Sequence, residues 1–309
     1  MFVVNVRETY EQLTAITSAD NVQVDEALKD HTYTRLGGKA DFYVTPETYE
    51  EVRDIVKLSN QKQIPFTLLG NGSNLIIKDG GIRGIVLNLG RLADIRIDGT
   101  RMVAQSGARI IEASREALSC SLTGLEFACG IPGTVGGALF MNAGAYGGEI
   151  KDVLVNTIVI DRHGDLLTLS ADDLDLEYRS SNIPEKGYIV LEATFALGEG
   201  DYDAIKSVMD DLTYKRESKQ PLEYPSCGSV FKRPPGYFAG KLIQDSALQG
   251  QQIGGAAVSL KHAGFIINKD GAMATEYIHL IRHVQNTVKK TFGVTLECEV
   301  KIIGEDPSG

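Results

Sequence analysis

The sequence predicts an α+β protein of more than one domain, on three observations. Its 309 residues exceed the ~250–300 at which a single hydrophobic core stops growing. The front half runs strand, helix, strand and then a series of short strands; the last third sets a long amphipathic helix before a strand. Two glycine-dense stretches interrupt this pattern, Gly70-Asn71-Gly72-Ser73-Asn74 and the run from 124 to 148.

Residues 40–44 read as the first clear strand. Thr45-Pro46-Glu47 then predicts a helix start, with a capping hydroxyl, proline in the first turn and an acid near the positive end. Tyr49, Val52, Ile55 and Val56 continue at helical spacing, and strand 64–69 delivers the chain into the first glycine loop. That order puts the loop at a strand's carboxyl end, where ligands of α/β sheets collect. Short strands follow at 75–78, 84–89, 94–97 and 102–105, then a helix at 110–118. Strands 153–160 and 166–169 flank the turn Asp161-Arg162-His163-Gly164, and 188–197 is another strand. Helix 201–212, with Ile205, Val208, Met209 and Leu212 on one face, opens a new domain. In the last third, Thr275 is the expected cap of a helix to residue 292, with Tyr277, Ile281, Val284 and Val288 as its buried stripe. Gly293 stops it, and Lys289 and Lys290 sit near its negative end. Alternation over 295–303 predicts a strand with Leu296, Cys298, Val300 and Ile302 on one face. Thr295, Glu297, Glu299 and Lys301 take the other.

Apolar content of 43% and charged content of 23% are those of an ordinary globular protein. The net charge is −10 and no basic block appears, which argues against nucleic acid and anionic membrane as partners. The N-terminus lacks a charged region followed by a long apolar run, so neither a signal peptide nor a spanning helix is expected. Cys120, Cys129, Cys227 and Cys298 are scattered, which argues against zinc and disulfides and for the cytoplasm. No metal site and no obligatory protein partner are evident.

Glycine in a turn permits positive φ, so successive N–H groups can converge on an anion and form a phosphate nest. Turn chemistry in a β-rich domain is the alternative; two such stretches in one chain favour a dinucleotide. They do not make a Rossmann fingerprint, because Leu75 stands at the third glycine position and a strand follows. Tyr178-Arg179-Ser180-Ser181 reads as a loop whose arginine either clamps a carboxylate or phosphate or is solvated. Arg216, Lys219, Lys232 and Arg233 concentrate positive charge in an acidic chain, for an anionic pocket or for a helix C-terminus. Gly228-Ser229 lacks the G-x-S-x-G pattern, against a serine hydrolase. His279 and His283 share a helix face without a third ligand and read as surface histidines. Glu299 lies on a strand's polar face, functional only beside a cleft.

Taken in order, the segments resemble the UDP-N-acetylenolpyruvoylglucosamine reductase family. The resemblance rests on the 70–74 loop, Ile131-Pro132-Gly133-Thr134-Val135-Gly136-Gly137, Met141-Asn142-Ala143-Gly144-Ala145-Tyr146 and Tyr178-Arg179. It continues through Gly228-Ser229-Val230-Phe231-Lys232-Arg233-Pro234, Gln252-Ile253-Gly254-Gly255-Ala256 and 296–304, so it covers the chain from about residue 32 to 304. It implies a two-lobed FAD-binding domain of the vanillyl-alcohol-oxidase type at 1–200, with lobes about 1–88 and 89–200. A substrate-binding α+β domain would follow at 201–309. Non-covalent FAD would lie between the lobes, held by Gly70, Asn71, Gly72, Ser73, Asn74, Gly130, Ile131, Pro132, Gly133, Gly136, Gly137, Asn142, Ala143 and Gly144. The family uses NADPH to reduce FAD, which then reduces an enolpyruvyl double bond to a lactyl ether in peptidoglycan precursor synthesis.

By the same resemblance Ser229 is the proton donor, and Arg179 and Glu299 bind and polarise the substrate carboxylate. Tyr178, Lys219, Lys232 and His262 are implied for the UDP-sugar, and Arg216 for a phosphate of flavin or substrate. Two departures stand out. The chain is too short after Tyr178 for the extra lid of some members, which resembles the shorter subtype. Arg233 replaces the asparagine common elsewhere. The other readings are a related flavin alcohol oxidase, which needs no Ser229–Glu299 set, and a non-catalytic nucleotide-binding protein.

Overall fold

The computed structural model describes residues 5–307; the first four residues of the N-terminal stretch weighed against a signal peptide lie outside them. The chain forms two compact units. The first comprises the chain up to Val24, Asp41–Asn71 and Gly84–Lys215; the second comprises Asp25–Ala40, Gly72–Arg83 and the chain from Arg216 onward. The division therefore falls inside the helix Tyr202–Lys219 rather than at 200/201. Early in that helix Ile205 and Met209 bury against Cys129, which ties this stretch to the first unit. The second unit recruits N-terminal segments because Leu36 and Ile76 enter its core and Leu75–Ile77 pairs in parallel with Lys301–Ile303.

In the first unit, helix Tyr49–Lys62 buries Val52, Ile55 and Val56 against Phe42, Ile85 and Leu87. Each fully buried aliphatic side chain of this kind contributes about 1.5–3 kcal/mol. Its cap is Thr48 and not Thr45: Thr48 Oγ1 accepts from Glu51 N at 3.1 Å, the geometry of an S/T-x-x-E start. Thr45 N is engaged elsewhere, donating to Asn21 O at 2.9 Å. Strand Phe66–Leu68 runs parallel to Ile82–Leu87, with Thr67 opposite Val86. A five-stranded sheet has neighbours Leu166–Ser170, Leu154–Ile160, Ile189–Ala196, Arg101–Gln105 and Ile95–Asp98, every pairing antiparallel. The short helix Val135–Phe140 packs on it through Val135, Ala138 and Leu139.

In the second unit a four-stranded sheet runs Ser226–Ser229, Phe265–Asn268, Ala256–Val258, Gln252–Ile253. Helix Ala274–Phe292 lays Tyr277, Ile281, Val284 and Val288 into that core, and Gly293 ends it at φ +71°. Thr275 is not its cap. The Asp79 carboxylate accepts from Ala274 N and Thr275 N, both at 2.8 Å, and from Thr275 Oγ1 at 2.6 Å. The expected strand 295–303 shrinks to Lys301–Ile303, because residues 297–299 bond along a different partner, with Glu299 N donating to Val230 O at 2.8 Å. Val208 is exposed, so the apolar face of its helix is narrower than its sequence suggests. Among the described residues no helix is long and apolar enough to cross a membrane.

Candidate functional site

The two glycine segments meet in the first unit. Asn71 Nδ2 donates to Pro132 O at 2.6 Å, and a Cβ added to Gly70 would stand 3.1 Å from Thr134 Oγ1. Asn88 holds the loop's entrance, its Nδ2 donating to Leu69 O and Gly70 O at 3.0 Å each. Beside them opens a cleft of about 350 Å³, lined by Gly70, Asn71, Asn88, Gly107, Arg109 and Thr134 among others. Close backbone packing forms its wall. A Cβ on Gly107 would lie 1.9 Å from Leu89 O and 2.8 Å from Leu92 O. Among the described residues the N–H groups of Gly70 and Gly133 have no protein acceptor. Free amides on glycine-lined backbone fit a diphosphate-bearing cofactor.

Gly72 has φ +63°, as expected, but a further constraint applies in the second unit: an added Cβ would lie 2.3 Å from His31 O. Ser73 and Asn74 follow, and Asn74 O accepts from Lys301 N at 3.1 Å. Gly130, Ile131, Pro132, Gly133 and Gly137 are partly exposed in the segment that meets Asn71. Asn142 and Ala143 are buried within the first unit. Asn142 is fully buried, its side chain bonded to Glu149, Glu177 and Lys151, and Ala143 is 5% exposed with N–H and C=O both bonded within the protein. Gly144 is partly exposed, and its carbonyl accepts from Arg179 Nη2 at 2.7 Å.

Arg179 sits at a tight turn closed by reciprocal Glu177–Ser180 backbone bonds of 3.1 Å. Its φ is +55°, a conformation that non-glycine residues keep only where surrounding structure enforces it. The guanidinium lies 5.0 Å from the exposed Tyr178 ring.

In the second unit, the end of one strand ladder and the loops beside it carry four of the expected residues. Ser229 is exposed and lies opposite Phe265, after a register shift in which Gly228 takes φ +77°. Such a bulge re-aims the next side chain. The bond from Glu299 N to Val230 O brings Glu299 beside that strand end, and Lys232 N donates to Glu297 O at 2.9 Å. Lys232 Nζ also pairs with Glu297. His262 is half-buried, which lowers its pKa, and its ring meets Phe265 edge-on at 4.9 Å. Its Nδ1 accepts from Gly264 N at 3.1 Å, leaving Nε2–H as donor. Arg216 is partly exposed, and Lys219 is exposed at its helix end, outside this ladder. His279 and His283 are exposed, as expected. Among the described residues no His, Cys, Asp or Glu group could hold a metal ion.

Residues 40–170 match the model of an FAD binding domain, and 220–303 match that of the UDP-N-acetylenolpyruvoylglucosamine reductase C-terminal domain. A relative from Oceanobacillus iheyensis, named UDP-N-acetylenolpyruvoylglucosamine reductase, is 73% identical, covering 96% of this chain and 97% of its own length. The chain belongs to the UDP-N-acetylenolpyruvoylglucosamine reductase family. An Exiguobacterium sibiricum relative of the same name is 62% identical, over 92% of this chain and 94% of its own. Among solved structures, the reductase from Thermus caldophilus aligns with a TM-score of 0.80 at 33% identity, covering 91% of this chain and 99% of that one. The chain thus carries an FAD-binding domain followed by the C-terminal domain of this reductase family.

Sequence reasoning missed Asn88 and Gly107 in the cleft. Asn88 reaches the glycine loop through a parallel strand pairing, which leaves no local signal; Gly107, just before a helix, was the more legible of the two.

Proposed function

We propose that the chain is an FAD-dependent oxidoreductase that reduces the enolpyruvyl group of UDP-N-acetylglucosamine-enolpyruvate to UDP-N-acetylmuramate. NADPH is the reductant, and the product serves peptidoglycan precursor synthesis. The observation that carries this reading is the ladder presenting Ser229, Lys232, His262 and Glu299 together, a set that an alcohol oxidase on the same flavin fold does not need. When bound, FAD supplies the hydride that the enolpyruvyl β carbon receives.

The backbone of 70–74 and of 130–137 holds the pyrophosphate, non-covalently, with Arg216 on a phosphate of flavin or substrate. Arg179 and Glu299 bind and polarise the substrate carboxylate. Hydride arrival leaves negative charge toward that carboxylate, and the exposed Ser229 hydroxyl passes its proton to the α carbon. Tyr178, Lys219, Lys232 and the Nε2–H of His262 contact the UDP-sugar. The free state of all four cysteines supports a cytoplasmic site of action.

Anaerobic titration tests the reading. NADPH should bleach a yellow protein, the UDP-enolpyruvyl sugar should restore its colour, and acid should release the chromophore. Colour restored by oxygen but not by the sugar points to an alcohol oxidase, and a colourless protein to a nucleotide-binding one.

A further inference from the structure

We infer that Asn142 is a positioning residue for Arg179, an inference that rests on the carboxylate role given to that arginine. The fully buried amide closes a circuit of bonds in the first unit. Its two Nδ2 protons go to Glu177 O at 3.0 Å and Glu149 Oε2 at 2.9 Å, and its Oδ1 accepts from Lys151 N at 3.0 Å. Glu177 begins the turn that carries Arg179, and Glu149 lies opposite Gly144 in a short hairpin. The guanidinium closes the circuit by donating to Gly144 O. One amide thus fixes the backbone under the arginine and the hairpin against which its head rests.

The chemistry of position 142 is narrow. Its φ of +43° favours asparagine or glycine, aspartate lacks both donors, and glycine lacks the side chain altogether. Lys151 Nζ, 2.6 Å from Glu149 Oε1, holds the acceptor carboxylate from its other side. Arg179 has the strained φ of a residue kept by its surroundings, and Asn142 is the side chain that bonds to that turn from the hairpin side.

The test uses the flavin-loaded enzyme and Asn142→Gly, which keeps the left-handed backbone, with Asn142→Asp as a second variant of similar size. Stopped-flow follows flavin reduction by NADPH and reoxidation by the UDP-enolpyruvyl sugar separately. Either variant should slow reoxidation about tenfold or more, the loss expected when a buried hydrogen-bond network is opened. Flavin content and reduction by NADPH should stay within about twofold of wild type. On an Arg179→Ala background Asn142→Gly should cost no further reoxidation rate, because the group it positions is gone. Equal losses on both backgrounds, equal slowing of both half-reactions, or wild-type reoxidation would overturn the inference. If Arg179→Ala alone reoxidises normally, the carboxylate assignment fails first and this inference with it. If Arg179→Ala slows reoxidation and Asn142→Gly does not, only this inference fails.

Discussion

The glycine-lined cleft of the first unit and the Ser229 ladder of the second are built by opposite means. The cleft is backbone: glycines against carbonyl oxygens, and asparagine amides tying one loop to the next, as Asn71 does to Pro132 and Asn88 to Gly70. The ladder is side chain: a hydroxyl at a strand's end, with an ammonium, an imidazole and a carboxylate on the segments beside it, and with Ser229 left exposed. A site built from backbone recognises shape and is fixed at folding. A site built from side chains can lose one group and keep its form. Damage to the first should therefore appear as lost cofactor, and damage to the second as lost rate.

Gly107→Ala is the harshest way to break that contrast. The added methyl would lie 1.9 Å from Leu89 O and 2.8 Å from Leu92 O, backbone atoms that cannot rotate away. The purified variant should carry essentially no flavin, read from its visible absorbance. Full occupancy would mean that the wall of the cleft yields, and the contrast would be lost.

Much of this was legible in the sequence, unevenly. The glycine segments announced the cleft because glycine marks places where a Cβ has no room, and that signal is local. Helix Ala274–Phe292 was readable from its apolar stripe, yet its cap was not, since Asp79 arrives from far along the chain. Asn142 lies in a glycine-rich motif that points to a cofactor, and nothing local in that motif announces the bonds of its buried side chain to Glu149 and Glu177. Residues 295–303 alternate as a strand should, but the chain changes partners within them, and pairing is not written in periodicity.

Asn88→Ala is a milder probe of the same contrast. It removes both bonds that hold Leu69 and Gly70 at the loop's entrance. Leaving buried acceptors unpaired costs about 1–3 kcal/mol, so flavin affinity should fall by roughly 5–150-fold in a dialysis or apoenzyme-titration measurement. Once flavin is saturating, both half-reactions should run at close to wild-type rates. A rate defect persisting at saturation would show that Asn88 acts on the chemistry and not on occupancy.

Ser229→Ala gives the most direct measurement, read as single-turnover reoxidation of the reduced enzyme over a range of UDP-enolpyruvyl sugar concentrations. A positioned proton donor contributes typically ~100–10,000-fold, so the limiting rate should fall by that range. Flavin content, reduction by NADPH and the half-saturating sugar concentration should stay near wild type, and Ser229→Cys should recover part of the rate. A folded, yellow Ser229→Ala protein that reoxidises at a near-normal limiting rate would contradict the proton-donor role.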